Sequence, residues 1–383
     1  MPVTPPYIVI AATFFYALIF TIGVVGNSLV CFVVSRNKDM KNSTNFFLVN
    51  LSIADMAVIV ICMPSSMADI YSKEVWYFGY VMCKIVPFLE NTVAAGSVFT
   101  ILAISLERWY AIRWPLKAQY TCTRMRTLKA IAVIWVAASS LCVPFALVTD
   151  YSDTEYADGS TVKTCVTSFQ RNWERGYFIF VWCLCLPFPL AALIVLYSMI
   201  SRTLMSDGAV VGTKNDPCSE FNHRARRQVV LMLFAVVICF FLCLLPFRVV
   251  SLWLVYASPA DIKAIGLETY LNIMCFVRVM FFLNSSINPI VYNVMSTKFR
   301  KAFAFVLRSS LRCRRAPPRS GARTWQFNSS CGGNNSSMRS TVMRYPTAQT
   351  FTNHHYAYSA KLNLFRNEII AWEVMQQSGQ ATL

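Results

Sequence analysis

The chain has 383 residues, of which 56% are hydrophobic and only 14% charged, against about 25% charged in ordinary globular domains. Its 35 Lys and Arg outnumber its 18 Asp and Glu, giving a net charge of +17, an excess that in a soluble chain would indicate nucleic-acid binding. Here the basic residues lie between apolar runs of membrane-spanning length, so the composition excludes a soluble protein and disfavours nucleic acid as a partner.

Seven apolar runs reach the roughly 20 residues that a helix needs to cross the hydrocarbon core. The predicted spans are Tyr7–Val34, Ser43–Met67, Val81–Ile112, Leu128–Val148, Tyr177–Leu204, Val229–Tyr256 and Ile265–Met295. We expect Gly23 and Gly26 to break the first run in its middle. The sequence therefore predicts an all-α fold, a seven-transmembrane helix bundle.

The distribution of Lys and Arg predicts the orientation of the bundle. Basic residues gather in the first, third and fifth connectors, whereas the second, fourth and sixth connectors are acidic on balance. Because basic connectors stay in the cytoplasm, we expect a multi-pass protein of the plasma membrane with its N-terminus outside and its C-terminus in the cytoplasm.

Two of the 14 cysteines face the oxidising side in this topology. Cys83 lies at the outer end of the third span, and Cys165 lies in the second outer connector. Exposed thiols in that compartment tend to pair, so we predict a disulfide between them. Two unrelated free thiols are the alternative.

Several polar residues lie inside the predicted spans, where an ionisable side chain is costly and marks a functional site. Asp55 is in the second span and Ser97 in the third, while Asn284, Ser285 and Asn288 are in the seventh. Carboxylate, hydroxyl and amide oxygens suit a hard cation, which makes Asp55, Ser97, Asn284 and Asn288 a candidate sodium site. A hydrogen-bonded network that only joins the helices is the alternative.

Opposite charges also occur at similar depth in the outer halves of three spans. Glu90, followed by Asn91, is in the third span, Arg248 in the sixth and Arg278 in the seventh. Their common depth indicates a water-filled outer cavity that receives a ligand. An internal salt bridge without a ligand role is the alternative.

The inner ends of the spans carry a second group of motifs. Glu107 and Arg108 end the third span, either as a switch contact or as a pair that merely reaches the membrane surface. The seventh span ends in Asn288–Tyr292, whose proline removes a backbone hydrogen bond and permits a hinge. Pro246 in the sixth span and Pro189 in the fifth have the same capacity.

The segment after the seventh span predicts a short amphipathic helix on the membrane surface. Phe299, Phe303, Val306 and Leu307 share one helical face, with basic residues around it. We therefore assign residues 1–310 to the seven-transmembrane domain, including this helix, and residues 311–383 to a disordered cytoplasmic tail. Cys313 is a candidate palmitoylation site, with a plain cytosolic thiol as the alternative.

Taken together, these positions resemble the rhodopsin-like (class A) G-protein-coupled receptors across nearly all of residues 7–310. The matching positions, one set per span, are Gly26-Asn27, Leu51–Asp55, Cys83, Ser97, Glu107-Arg108, Trp135, Pro189 with Tyr197, Cys243 with Pro246, and Asn288–Tyr292. The resemblance implies switching and G-protein-coupling roles for Glu107, Arg108, Tyr197, Cys243, Leu244, Pro246, Asn288, Pro289 and Tyr292.

Within the class, the chain is similar to neuropeptide receptors of the thyrotropin-releasing-hormone and ghrelin branch, above all to arthropod ecdysis-triggering hormone receptors. The segments that carry this likeness are Lys38–Asp55, Met82–Phe88, Leu116–Ala118 and Cys243–Arg248. The likeness implies a secreted, amidated peptide as agonist, with Glu90, Asn91, Arg248 and Arg278 as its binding residues. It also implies coupling to Gq and intracellular calcium, with arrestin and receptor kinases acting at the tail. Another neuropeptide of the same branch is the alternative ligand.

Three departures from the class pattern concern the switching machinery. Leu244 stands where Trp is usual, Trp109 stands where Tyr is usual, and the inner end of the sixth span is basic, without an acid to clamp Arg108.

The sequence disfavours three rival classes of membrane protein. A light-sensing pigment needs a lysine in the seventh span, and the sequence has none between Lys263 and Lys298. A transporter would show an internal repeat, and none is evident in the sequence. An enzyme would need a catalytic dyad, which the spans do not supply.

Overall fold

The computed structural model describes residues 5–37, 40–72, 75–155, 161–212 and 217–312. Within these residues, seven helices are long and apolar enough to cross a membrane. They are Pro6–Arg36, Ser43–Ser72, Gly79–Arg113, Arg124–Val148, Asn172–Ser206, Arg226–Tyr256 and Leu267–Met295. The predicted seven-helix bundle is confirmed. The domain boundary after residue 310 stays a prediction, because the chain beyond Arg312 lies outside the described residues.

Three short helices accompany the spans. Pro115–Thr121 follows the third span, Pro259–Ile265 precedes the seventh, and Thr297–Arg312 follows the seventh. The seventh span was predicted to begin at Ile265, but that residue ends the short helix before it. Gly266, at φ 81°, ends one helix and caps the next, a backbone conformation that glycine adopts without steric cost.

Two spans contain irregularities that follow from proline. The second span consists of the helix Ser43–Ala57, a π turn Val58–Cys62 and the helix Met63–Ser72. The π turn ends two residues before Pro64, which cannot donate a backbone hydrogen bond. The fifth span is interrupted between Asn172–Cys185 and Pro187–Gly212. The sixth span is part of a longer helix, Pro217–Tyr256.

The first span is a continuous helix, so the predicted break at Gly23 and Gly26 is wrong. These glycines permit close packing instead. A Cβ atom added at Gly26 would lie 2.8 Å from Cβ of Pro289, and one added at Gly23 would lie 2.2 Å from Cδ1 of Ile59. The first span therefore approaches the second and seventh spans at the distance that glycine allows.

We expect Gly26→Ala to destabilise the bundle by about 1–3 kcal/mol, since the new methyl group meets a rigid proline ring. The measurement is the thermal unfolding temperature of the purified chain in detergent. Gly176→Ala is the matched control, because nothing lies within 4 Å of that added atom. Equal unfolding temperatures for the two variants would contradict the close approach.

Polar side chains also join the spans. Asn27 donates from Nδ2 to the carbonyl oxygen of Ser285 at 2.8 Å, which joins the first span to the seventh. Trp135 donates to Asn50 Oδ1 at 2.7 Å, and Asn50 donates to Thr100 Oγ1 at 3.1 Å. The second, third and fourth spans are thus linked by hydrogen bonds, which are favourable inside a membrane.

The short helix after the seventh span packs against the bundle. Phe299 and Phe303 are buried, and the ring of Phe299 lies 5.7 Å from the ring of Tyr292. The predicted amphipathic helix is therefore confirmed, with part of its apolar face covered by the end of the seventh span.

The second outer connector forms a β-hairpin, which the sequence analysis did not predict. Strand β1 (Thr149–Glu155) pairs antiparallel with strand β2 (Thr161–Thr167). Cys165 in β2 is bonded to Cys83, so the predicted disulfide is confirmed. The backbone N–H of Trp76 donates to the carbonyl oxygen of Lys163 at 2.8 Å. The hairpin is thus held at the outer end of the third span.

Candidate functional site

The outer polar cluster is built around an ion pair between the third and seventh spans. Arg278 Nη1 lies 3.2 Å from Oε1 and 3.3 Å from Oε2 of Glu90, and the Glu90 side chain is only 9% exposed. The guanidinium also lies 5.9 Å from the centre of the Phe247 ring. The internal salt bridge left open by the sequence is therefore present, and Arg278 forms it.

Arg248 is placed differently from Arg278. It is 5% exposed, and its backbone oxygen accepts a hydrogen bond from Trp182 Nε1 at 3.1 Å. Its guanidinium makes no hydrogen bond or ion pair with any residue in the described part of the chain. It lies near the thiols of Cys142 and Cys185 in the fourth and fifth spans, and a buried charge is costly unless an acceptor is supplied.

Asn91 has a local role. Its amide nitrogen donates to the carbonyl oxygen of Pro87 at 2.9 Å, one turn earlier in the third span. The amide nitrogen is therefore engaged within its own helix and not with Glu90 or Arg278.

The disulfide sets the depth of this cluster. Glu90 follows Cys83 by seven residues, so it lies about 10 Å further along the helix at 1.5 Å per residue. The hairpin of β1 and β2 lies on the extracellular side of this cluster. In the hairpin, Lys163 Nζ lies 2.5 Å from Asp153 Oδ2. That hydrogen bond raises the pKa of the Lys163 amine, so Lys163 stays protonated and paired with the Asp153 carboxylate through the physiological range.

A second polar group lies deeper in the bundle. Asn288 Nδ2 donates to Asp55 Oδ2 at 2.9 Å, and both residues are buried. Ser97 and Asn284 are also buried, and Asn284 Oδ1 has no hydrogen-bond partner among the described residues. The structure thus joins Asp55 to Asn288 and leaves an amide oxygen available in the same span.

The inner end of the third span carries the adjacent acid and base. Arg108 Nη2 lies 3.4 Å from Glu107 Oε1. Burial, together with the nearby Glu107 carboxylate, raises the pKa of the Cys122 thiol in the following connector. One turn before Arg108, Ser105 Oγ donates to Tyr197 of the fifth span at 3.4 Å. Both residues line a void of about 10 Å³, roughly the space of one water molecule.

Two sixth-span residues with predicted switching roles are buried and apolar. Cys243 and Leu244 are 3% and 4% exposed, so Leu244 fills the core where the class pattern has Trp. In the seventh span, Tyr292 is fully buried, and its hydroxyl has no hydrogen-bond partner in the described residues. Pro246 and Pro289 lie inside continuous helices, and their hinge role stays a prediction.

Sequence reasoning missed two hydrogen bonds between spans, one at the inner ends of the helices and one at Arg248. Gln228, at the inner end of the sixth span, donates from Nε2 to the carbonyl oxygen of Met295 at 2.8 Å, which ties that end to the seventh span. Trp182 ties the fifth span to Arg248. Neither residue belongs to a motif, so no spacing in the sequence identified them. Cys313 lies outside the described residues, and its palmitoylation stays a prediction.

Comparison with known proteins supports the architecture. Residues 26–292 match the family described as 7 transmembrane receptor (rhodopsin family). The growth hormone secretagogue receptor type 1 of Oryctolagus cuniculus is 35% identical over 303 residues, covering 74% of this chain and 77% of the relative.

Two further relatives cover a similar share. Neuromedin-U receptor 2 of Mus musculus is 31% identical over 304 residues, covering 77% of this chain and 74% of the relative. The thyrotropin-releasing hormone receptor of Gallus gallus is 34% identical over 311 residues, covering 75% of each. These matches confirm the predicted likeness to the neuropeptide-receptor branch and disfavour the transporter alternative.

The family match, the relatives and the seven apolar helices all indicate a multi-pass receptor of the plasma membrane rather than an enzyme. The chain belongs to the rhodopsin family of seven-transmembrane, G-protein-coupled receptors.

Proposed function

We propose that this receptor binds a secreted, amidated peptide of the ecdysis-triggering-hormone type and signals through Gq to intracellular calcium. Relatives named for growth hormone secretagogue, neuromedin-U and thyrotropin-releasing hormone support a peptide or hormone ligand. The peptide enters from the outer side, beside the hairpin held by Cys165, and meets Glu90, Arg248 and Arg278, with Asn91 in the adjoining wall.

The buried guanidinium of Arg248 carries this proposal. Glu90 is already occupied by Arg278 at 3.2 Å, so the charge that lacks a partner among the described residues is positive. An oxygen acceptor on the ligand, such as the carbonyl of a C-terminal amide, satisfies it. Hydrogen bonds to charged groups are worth about 1.5–3 kcal/mol.

Glu90 then acts through exchange of partners. A basic residue of the peptide competes with Arg278 for the Glu90 carboxylate, and the displaced Arg278 becomes available to peptide carbonyl groups. Because Glu90 is in the third span and Arg278 in the seventh, the exchange loosens one contact between spans while the ligand forms others. The ligand thereby biases the bundle between two packings.

The test is a panel of amidated peptides and their free-acid forms, applied to cells that express the chain with a calcium reporter. We expect an amidated peptide to raise calcium, and Arg248→Gln to reduce its potency by about tenfold to a hundredfold. The matched control is Arg171→Gln, since Arg171 has a 74% exposed side chain on the same side of the membrane.

Two outcomes would overturn the proposal. One is a panel without any active amidated peptide at confirmed surface expression. The other is an equal loss of potency in Arg248→Gln and Arg171→Gln, which would show that the buried position has no special role.

We also propose that the group around Asp55 holds a sodium ion. The donor set fits: the Asp55 carboxylate is buried beside Asn288, and Asn284 Oδ1 is buried without a partner in the described part of the chain. Ser97 would supply a hydroxyl oxygen. Hard cations prefer oxygen ligands of this kind. The ion would favour the inactive packing, and agonist binding would oppose it by linkage.

Sodium should therefore lower agonist affinity when it replaces a bulky organic cation at constant ionic strength. Asp55→Asn should remove this dependence, because the carboxylate charge is lost while the shape is kept. The measurement is competition binding of the active peptide on membranes. Glu155→Gln is the control, an acid in strand β1 of the outer hairpin, away from the spans. An unchanged sodium effect in Asp55→Asn would return the group to a purely structural role.

On the inner side, we propose that Arg108, Tyr197 and Tyr292 form the conformational switch and part of the surface that a Gq heterotrimer binds. The Ser105–Tyr197 contact and the water-sized void beside it leave room for Tyr197 to change partners. Receptor kinases and arrestin would act at residues 311–383, the predicted tail.

A further inference from the structure

An open groove lies on the lipid-facing side of the bundle, between the third and fourth spans. Its volume is about 400 Å³, and its walls are apolar apart from one lysine. The third span contributes Phe99, Leu102, Ala103 and Leu106, and the fourth span contributes Lys129, Ala130, Val133 and Ile134. Ala103 and Ala130 give the groove a small side chain on each of its two walls.

The charge at the groove has a defined position. Lys129 is the sixth residue of the helix Arg124–Val148, so it lies within about 8 Å of the cytoplasmic end. Its ammonium group makes no hydrogen bond or ion pair with any residue that the structure describes. Arg126, one turn nearer the cytoplasm, is exposed on the same side of the helix.

The order of groups along the fourth span matches the order along a phospholipid of the inner leaflet. Cations come first, at the membrane surface, and Ala130, Val133 and Ile134 follow toward the bilayer centre. A phosphate at the surface meets Lys129, and an acyl chain extends along the apolar groove. A zwitterionic lipid has no net negative charge to offset Lys129, and a sterol hydroxyl leaves the lysine charge unmet.

We propose that this groove binds one anionic glycerophospholipid of the inner leaflet, with Lys129 on its phosphate and an acyl chain between the third and fourth spans. The site is separate from the peptide-binding cluster and does not depend on the ligand. Its floor reaches Leu106, next to Glu107, so the lipid supports the third span beside the inner switch.

The test is native mass spectrometry of the full chain, titrated with phosphatidylserine, phosphatidylcholine or a sterol. We expect the wild type to retain one phosphatidylserine about fivefold more tightly than phosphatidylcholine, the effect of one lysine near an anionic membrane surface. Lys129→Gln should remove this preference. Lys117→Gln, which removes an equal charge from the short helix Pro115–Thr121, should keep it.

Filling the groove supplies a second, steric test. Ala130→Phe should lose the retained lipid, whereas Ala132→Phe, at an exposed position outside the groove, should keep it. Thermal unfolding of both variants establishes that each is folded. A wild type that retains phosphatidylcholine or sterol as well as phosphatidylserine would overturn the proposal. So would equal losses in Lys129→Gln and Lys117→Gln, or full retention by folded Ala130→Phe.

Discussion

We expect Glu90→Gln to reduce the potency of the activating peptide by about two to three decades. Removing one partner of a buried ion pair leaves the other charge uncompensated, which costs about 3–5 kcal/mol. Here the residue left without its counter-charge is Arg278, whose Nη1 lies 3.2 Å from Glu90 Oε1. The variant therefore leaves the Arg278 guanidinium without its carboxylate partner at the proposed binding site. The measurement is the concentration dependence of the calcium response at matched surface expression.

The double variant shows where the loss originates. If Glu90 and Arg278 act as a pair, Glu90→Gln with Arg278→Gln should lose less than the sum of the two single losses, because no unpaired charge remains between them. A peptide with a neutral residue at its basic position should then lose little further potency on Glu90→Gln. Fully additive losses from Glu90→Gln and Arg278→Gln would contradict the pairing.

Arg108→Ala should bind the peptide normally and fail to activate the G protein. Arg108 follows Glu90 by 18 residues, so it lies about 27 Å away along the helix and cannot touch a ligand in the outer cluster. Its side chain is 25% exposed at the inner end. We expect agonist-stimulated nucleotide exchange to fall by at least about tenfold, the cost of one charged contact, with peptide affinity near that of the wild type.

Arg113→Ala is the matched control for this variant, since Arg113 is an exposed arginine in the last turn of the same helix. It should retain most of the exchange activity. Parallel losses of binding and exchange in Arg108→Ala would contradict the assignment, because they would indicate a folding defect rather than a lost coupling contact.

The spans could be predicted from the sequence because a membrane helix needs a long apolar run, and that signal survives without tertiary information. The disulfide could be predicted because topology left Cys83 and Cys165 as the pair facing the outside. The hairpin was missed because Thr161–Thr167, although rich in β-branched residues, is a short segment whose strand signal is much weaker than that of a long apolar run.

For the outer polar group, the sequence could suggest candidate residues but not which of them pair. Depth along the spans placed Glu90, Arg248 and Arg278 together, whereas helix rotation, which decides that Glu90 meets Arg278, is set by packing between helices. Gly26 shows the same limit. In the sequence it predicts a break, and only the neighbouring Pro289 explains it as a point of close approach.

Nucleotide exchange on a purified Gq heterotrimer, driven by the amidated peptide through the purified receptor in a lipid nanodisc, tests the central claim most directly. We predict a saturable rise in exchange rate, shifted to higher peptide concentration by Arg248→Gln and reduced in maximum by Arg108→Ala. Peptide that binds saturably without any change in exchange would contradict the account, because it would separate the outer cluster from the inner switch.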